Sequence, residues 1–156
     1  MRKLDEGLAQ SIRTNQKLME VKVEKMGTYF PLEEVKTTLN KDAEFKLVAR
    51  FWTVDIRFKV GDDFYFMVIR DGIVEDFYQG TTGLDAYTIN VGGPLQVWDK
   101  MMELPPQPFY HDWFAASFHH EFELGGDLQS AYAYYYALKR IHACMAQCVN
   151  ITKFAA

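Results

Sequence analysis

Arg50 and His120 are the residues whose chemistry fits a plain hydrophobic core least well. By alternation, each falls on a strand face that is otherwise apolar, and a buried cation or imidazole needs a partner to offset its desolvation. Arg50 could hold an oxyanion through two parallel hydrogen bonds. The pattern predicts that both residues anchor the polar head of a bound molecule, a carboxylate or a hydroxyl. The alternative is structural, either an edge position that reaches water or an internal pair with Asp76, Glu103 or Glu121.

Motifs for catalysis are missing from the sequence, which has no Gly-x-Ser-x-Gly turn, phosphate-binding glycine loop or dinucleotide fingerprint. One enzymatic hypothesis remains, in which Asp55 or Asp76 acts with His120 as general acid and base in an isomerase or dehydratase. Some small domains related to nuclear transport factor 2 use an Asp with a His or Tyr in this way, but such domains usually end in a strand, whereas this chain ends in a predicted helix. Because the catalytic motifs are missing and the chain ends differently from these enzymes, we expect a protein that is not an enzyme and uses no cofactor.

The cysteines and the charged residues exclude several classes of site. Cys144 and Cys148 lie four residues apart on a predicted helix, so we expect reduced thiols on or near its core face. A metal site would need further ligands beside these cysteines and His142, and the sequence has none at a recognisable spacing, so we predict no metal site. The formal net charge is -4 and the basic residues form no block, which argues against nucleic acid as a partner.

The N-terminus lacks the apolar core of a signal peptide, and no run of residues is long enough to span a bilayer. We therefore expect a cytoplasmic protein without integral membrane association.

The elements that must position these residues follow from hydrophobic spacing. Helical spacing predicts an extended N-terminal helical region, with a stripe at Leu4, Leu8, Ile12, Asn15 and Met19, and a short helix that begins at Pro31. Alternation predicts strands over residues 48–60, 64–70, 73–78 and 86–91, joined in series as an antiparallel meander with a hairpin at Asp71-Gly72. A helix from Pro94, a last strand over residues 118–124, and a helix after the N-cap Asp127 complete one α+β domain over residues 1–156.

The C-terminal helix is predicted to cover the sheet. An apolar stripe with helical spacing lies along it at Tyr135, Leu138, His142, Met145 and Val149. His142 is expected to be a hydrogen-bonded core residue. Four tyrosines surround this helix, at positions Tyr132, Tyr134, Tyr135 and Tyr136. They predict a surface for a partner, either a second copy in a homodimer or another protein.

Three short motifs within residues 45–141 resemble the sterol carrier protein-2-like family. Asp85-Ala86-Tyr87-Thr88-Ile89 looks like the strand before the inserted helix, and Val97-Trp98-Asp99-Lys100-Met101 occupies the place of that helix. Phe122-Glu123-Leu124-Gly125-Gly126-Asp127 resembles the closing strand and the Gly-Asp turn before the last helix. The proline-rich and aromatic loop before the last strand departs from the family pattern, as do the long termini. The resemblance implies an antiparallel sheet of about five strands covered by helices, with an apolar cavity between them.

Large side chains predicted on the facing layers fit such a cavity, because rings and methionines that pack irregularly leave gaps for an apolar ligand. The predicted ligand-binding residues are Arg50, Trp52, Phe58, Phe66, Trp98, Trp113, His120, Tyr135 and Leu138. The predicted function is therefore non-catalytic binding or transfer of a hydrophobic small molecule, a lipid, sterol or fatty-acyl-like compound. The alternatives are that the same rings simply fill the core, or that the protein is a non-catalytic subunit that docks on a partner enzyme.

Overall fold

A computed structural model of the protein describes residue 7, residues 9–13 and residues 28–155. Residues 7 and 9–13 are helical, and the rest of the predicted N-terminal helix lies outside the described residues. The strands are β1 (Val54–Val60), β2 (Asp63–Arg70), β3 (Ile73–Gly80), β4 (Ile89–Gly93) and β5 (Glu123–Gly126). The helices that follow residue 28 are α1 (Leu32–Lys41), α2 (Ala43–Val48), α3 (Leu95–Met101), α4 (Trp113–His119), α5 (Leu128–Ala133) and α6 (Tyr135–Ala155).

The five strands form one mixed sheet in the order β3-β2-β1-β4-β5. This confirms the predicted α+β fold with a five-stranded, mostly antiparallel sheet. The predicted meander is correct for β1 to β3, but the place of the fourth strand was wrong, because β4 pairs with β1 in parallel. The outer edge of β3 is occupied by a side chain: Asn40 donates to the carbonyl of Val74 and accepts from its N–H, both at 2.9 Å.

The hairpin between β2 and β3 has the geometry that its sequence predicts. Asp71 and Gly72 both have positive φ angles, of 51° and 77°, which is the arrangement of a two-residue type I′ turn. A Cβ atom on Gly72 would lie 2.7 Å from the carbonyl oxygen of Ala49, so the turn also needs glycine for space. The Asp71-Gly72 prediction is confirmed.

The first strand begins later than alternation predicted. Asp42 caps α2 by accepting from the Phe45 N–H at 2.7 Å, and this helix occupies residues 43–48. Phe51 then has a φ of 69°, in the left-handed region, and the strand starts only at Val54. Arg50 consequently lies in a turn with an exposed side chain, its guanidinium 5.1 Å from the ring centre of Phe51. The prediction that Arg50 lies on a buried apolar face was wrong.

The last strand and the last helix are also divided differently from the prediction. Residues 113–119 form α4, which is capped by Asp112, so only the end of the predicted strand over residues 118–124 is extended. His120 therefore lies in the link between α4 and β5. The predicted cap is confirmed, since the Asp127 carboxylate accepts from the Ser130 N–H at 3.1 Å. The helix after it is broken at Tyr134 into α5 and α6.

One face of the sheet carries the core. Along β1, Val54, Ile56, Phe58 and Val60 are buried there, and Phe30 meets the rings of Tyr65, Phe77 and Trp98 at centroid distances of 5.1, 5.7 and 5.6 Å. Phe66 lies on the opposite face, where it stacks on Tyr78 at 5.5 Å. The prediction that Phe66 faces the helices was wrong, because strand alternation puts Tyr65 and Met67 on the core side.

Helix α6 packs over α1 and α2 and is tied to them by an ion pair. Arg140 donates two hydrogen bonds to the carboxylate of Asp42, at 2.8 and 2.7 Å, and its guanidinium also lies 3.3 Å from Glu44. The hydrogen bond from Arg140 is the largest cause that holds the pKa of Asp42 below its ordinary value. The same carboxylate thus caps one helix and anchors another.

Candidate functional site

Two surface grooves lie on either side of the segment that leads into β5. The first, with a volume of about 650 Å³, is here called the polar groove and is lined by Lys59, Gly61, Asp62, Gly92, Gly93, Pro94, His120, Glu121, Phe122 and Glu123. The second, of about 360 Å³, is here called the apolar groove and is lined by Phe114, Ser117, Phe118, Phe122, Glu123, Leu124, Leu128 and Tyr132. The polar groove lies at the ends of β1 and β4, and the apolar groove lies among α4, β5 and α5.

Of the nine residues predicted to bind a ligand, His120 lines one of these grooves. Arg50 is exposed and Phe66 lies on the far face of the sheet. Trp52 stacks on Tyr134 with the ring centres 4.8 Å apart. The remaining residues belong to the core: Phe58, Trp98, Trp113 and Leu138 are fully buried, and Tyr135 packs at the edge of the core. The structure therefore brings Phe58, Trp98 and Trp113 together in the core and places only His120 of the predicted set on the lining of a groove.

Rings of the sheet and of the covering helices meet in the core. Phe58 and Trp113 have a centroid distance of 5.5 Å, and Trp98 lies 6.3 Å from each of them. The indole N–H of Trp98 donates to the carbonyl of Lys59 at 2.8 Å, which fixes α3 against β1. The ligand cavity between these layers stays a prediction.

The floor of the apolar groove connects with two predicted site residues. Phe114 and Phe122, each 8% exposed, form this floor. Behind it, Phe114 contacts Tyr135 at 4.9 Å and Phe122 contacts Trp98 at 5.3 Å. Trp98 and Tyr135 thus form a second layer beneath the groove rather than its lining.

Three lining residues of the apolar groove were missed by sequence reasoning, namely Phe118, Leu128 and Tyr132. Leu128 and Tyr132 are four residues apart on α5, a spacing that indicates a shared helix face. Alternation places Phe118 on the buried face of a strand, whereas it is 76% exposed on α4. The helical spacing of Leu128 and Tyr132 was therefore a usable signal. Phe118 was missed because it was assigned to a strand instead of a helix.

A hydrogen bond between α4 and α6 holds the wall of this groove. The Tyr135 hydroxyl donates to one carboxylate oxygen of Asp112 at 3.0 Å, and the other oxygen accepts from the Ala115 N–H at 2.7 Å. Burial, followed by the bond to Asp112, raises the pKa of Tyr135. The phenol accordingly stays protonated and remains a donor across the neutral pH range.

His142 is the hydrogen-bonded core histidine that the sequence predicts. Its Nε2 lies 2.8 Å from the carbonyl oxygen of Met101, and its ring stacks on Trp113 at 5.5 Å. Burial is the main cause that lowers the pKa of His142. The imidazole is therefore neutral in the folded protein at neutral pH.

This burial predicts a pH dependence of stability. Unfolded His142 takes up a proton below its ordinary pKa of 6.5, whereas the folded protein resists protonation. The contribution of neutral His142 to the free energy of unfolding should thus be complete above pH 6.5, and it should be lost as the pH falls through the folded pKa. We expect His142→Gln to flatten this fall in urea titrations at a series of pH values. His119→Gln, at an exposed position, is the control and should keep it; an unchanged slope in His142→Gln would contradict the assignment.

The structure separates the groups of the enzymatic alternative. Asp55 is ion-paired with Arg70 at 2.9 Å near the start of β1, and Asp76 lies on the edge strand β3. His120 instead lines the groove beside β4 and β5. Of these three residues, His120 alone lines one of the two grooves described above, and the enzymatic alternative stays a prediction.

The cysteines lie on the buried side of α6 as free thiols, which confirms the sequence prediction. Burial is the first cause that raises the pKa of Cys144 to about 11, so this thiol is protonated at neutral pH. In the described part of the chain, no group of three or more histidine, cysteine or acidic residues could hold a metal ion. Among the helices within the same residues, none combines the length and apolarity needed to cross a membrane.

Comparison with known proteins bears on the fold. No family profile matches the sequence, and no curated protein is significantly similar to it. The chain is similar to the crystal structure of sterol carrier protein 2, with a TM-score of 0.62 and 14% sequence identity over 74% of this chain and 93% of that chain. It is also similar to the solution structure of a conserved hypothetical protein from Thermus thermophilus, described as a candidate sterol carrier protein, with a TM-score of 0.60 and 14% identity over 74% and 83% of the two chains. The mixed sheet and its covering helices therefore have the sterol carrier protein-2-like fold that the three sequence motifs predict.

Proposed function

We propose that this protein binds a hydrophobic small molecule without catalysis, and that the apolar groove holds it. The observation that carries the proposal is a cluster of exposed apolar side chains around that groove: Phe118 is 76%, Tyr132 58% and Leu128 44% exposed. Exposed apolar surface that gathers in one concave place is typical of a ligand or interaction site. The fold shared with sterol carrier protein 2 supports a lipid-like ligand.

The layering of aromatic rings favours an acyl chain or a ring system as the bound part. Phe114 and Phe122 form a floor that is almost fully excluded from solvent. The ring of Tyr132 forms a side wall, with its centre 5.1 Å from that of Phe114. Each methylene group that such a surface removes from water contributes about 0.8 kcal/mol. The predicted residues Trp98 and Tyr135 would be reached only by a ligand that displaces this floor, and we propose them as the deeper part of the site.

The direct test is to identify what the protein carries. Full-length protein purified from its host should show a retained apolar adduct in native mass spectrometry, and lipid extraction should recover it. Added fatty alcohols or sterols should raise the melting temperature of stripped protein, because a ligand that binds only the folded state stabilises it. Protein that is free of adduct and shows no thermal shift with either class would overturn the proposal.

The exposed tyrosines of the C-terminal region favour docking on a partner protein as a second candidate function. Tyr136 is 70% exposed on α6 and does not line the apolar groove, whereas Tyr132 does. Tyr136→Ala should therefore release a co-purified protein partner while leaving lipid binding unchanged. If that variant loses lipid and retains the partner, the two functions have been assigned to the wrong surfaces.

A further inference from the structure

The two grooves meet at one segment. Phe122 and Glu123 line both of them, so the apolar and the polar groove adjoin at the entry to β5. One groove offers rings and aliphatic side chains, and the other offers charges and a histidine. A molecule that fills both must be an amphiphile, with its apolar chain against Phe114 and Phe118 and its head beside His120.

The charges in the polar groove select the head group. Lys59 is the single cation among the lining residues, against three carboxylates, those of Asp62, Glu121 and Glu123. Within the described residues, none of these four side chains has an oppositely charged partner within 4.0 Å, so their charges remain available. Lys100 is a further cation beside His120: its ammonium lies 5.5 Å from the centre of the Tyr110 ring on which His120 stacks, but Lys100 does not line the groove.

Even when Lys100 is counted, the acidic groups remain in excess. An anionic head that loses part of its hydration here gains little from Lys59 and is repelled by the carboxylates. A cationic head is attracted by them, and an uncharged head is not penalised. The field of the groove therefore disfavours a free fatty acid.

His120 lines the polar groove and has a ring nitrogen without a partner among the described residues. Its ring stacks on Tyr110 at 3.7 Å with an angle of 11° between the planes, which holds the imidazole in place. The Nε2 atom is buried and has no hydrogen-bond partner among the described residues. A buried polar atom without a partner is costly. A hydroxyl can donate to this nitrogen or accept from it in either tautomer, whereas an ammonium group can only donate to it and a carboxylate can only accept from its N–H.

We propose that the two grooves form one site for an amphiphile whose head is uncharged or cationic, such as an alcohol or an amine, rather than a carboxylate. This inference rests on the proposed function and narrows its ligand class. It also replaces the anchoring role that the sequence suggested for Arg50, which is exposed in a turn away from both grooves.

The test compares four amphiphiles with the same twelve-carbon chain: dodecanol, dodecylamine, dodecyltrimethylammonium and dodecanoate. Stripped full-length protein is titrated with each by calorimetry below the micelle concentration. We expect dodecanol and dodecylamine to bind about tenfold more tightly than dodecanoate. The trimethylammonium compound has no N–H group to donate to His120, so it should bind more tightly than dodecanoate and more weakly than dodecylamine.

Substitutions in the polar groove test which residues cause the preference for dodecylamine over dodecanoate. Glu121→Gln combined with Glu123→Gln should bring dodecanoate and dodecylamine to within about threefold of each other, because the repulsion and the attraction are both removed. Glu75→Gln, on the exposed side of the edge strand β3, is the matched control and should leave the preference unchanged. Equal or tighter binding of dodecanoate to the unaltered protein would overturn this inference and leave the proposed function standing. Failure of all four compounds and of sterols to bind would overturn both.

Discussion

Replacement of Trp98 by alanine is expected to lower the free energy of unfolding by about 3–5 kcal/mol, the loss typical of a large ring removed from a filled core. Trp98 is completely buried and touches the rings of Phe30, Phe58, Trp113 and Phe122. The substitution also removes the donor to the carbonyl of Lys59. Equilibrium unfolding in urea measures the change, provided that the slope of the transition stays the same.

The same experiment tests the predicted cavity. Trp98→Phe keeps an aromatic ring but not the indole N–H, and its cost should be about 1–3 kcal/mol, from the lost hydrogen bond and the smaller ring. If Trp98 borders a hollow that holds ligand, Trp98→Ala should destabilise the stripped protein by less than about 2 kcal/mol, since few contacts are then lost. That smaller value would contradict the packed core and support the cavity that the sequence suggested.

Replacement of Phe118 by aspartate should weaken binding of an apolar ligand by more than about tenfold while changing stability by less than about 0.5 kcal/mol. Phe118 lines the apolar groove and is 76% exposed, so its ring contributes to the ligand surface more than to the core. A carboxylate at that position would have to be desolvated beneath the ligand. Calorimetric titration with dodecanol and thermal unfolding without ligand measure the two effects.

Leu84→Asp is the matched control for this variant. Leu84 is 86% exposed on the loop between β3 and β4, and it lines neither groove. It introduces the same charge at a comparably exposed apolar position, so it should leave ligand binding unchanged. If Phe118→Asp and Leu84→Asp weaken binding equally, the effect comes from net charge and the apolar groove is not the site.

The local elements could be predicted because their causes lie within a few residues. Asp71-Gly72 tolerates the positive φ angles of a type I′ turn, Asp127 caps the helix that follows it, and alternation along β1 separates buried from exposed side chains. The apolar stripe of α6 likewise placed His142 in the core. The motifs that resemble sterol carrier protein 2 depend on the same local signals, and the fold they imply was correct.

The site could be predicted only in part, because alternation does not say where a strand begins. The helices capped by Asp42 and Asp112 extend into the starts of the two predicted strands, so Phe118 is helical, and Arg50 and His120 lie in the links that follow these helices. Phe66 was misplaced because a strand pattern identifies two faces without saying which one the helices cover.

The amino-acid sequence by itself determined the turns, the caps, the buried stripes and the fold class, since each depends on the conformational preferences and spacing of neighbouring residues. Only the tertiary structure decided that β4 pairs in parallel with β1, and that an apolar and a polar groove meet at Phe122. Both depend on contacts between residues far apart in the chain, such as those of β1 with β4 and of residues 120–123 with the ends of these strands. The conformational preferences and spacing of neighbouring residues do not encode which distant segments meet, and therefore do not encode where a groove forms between them.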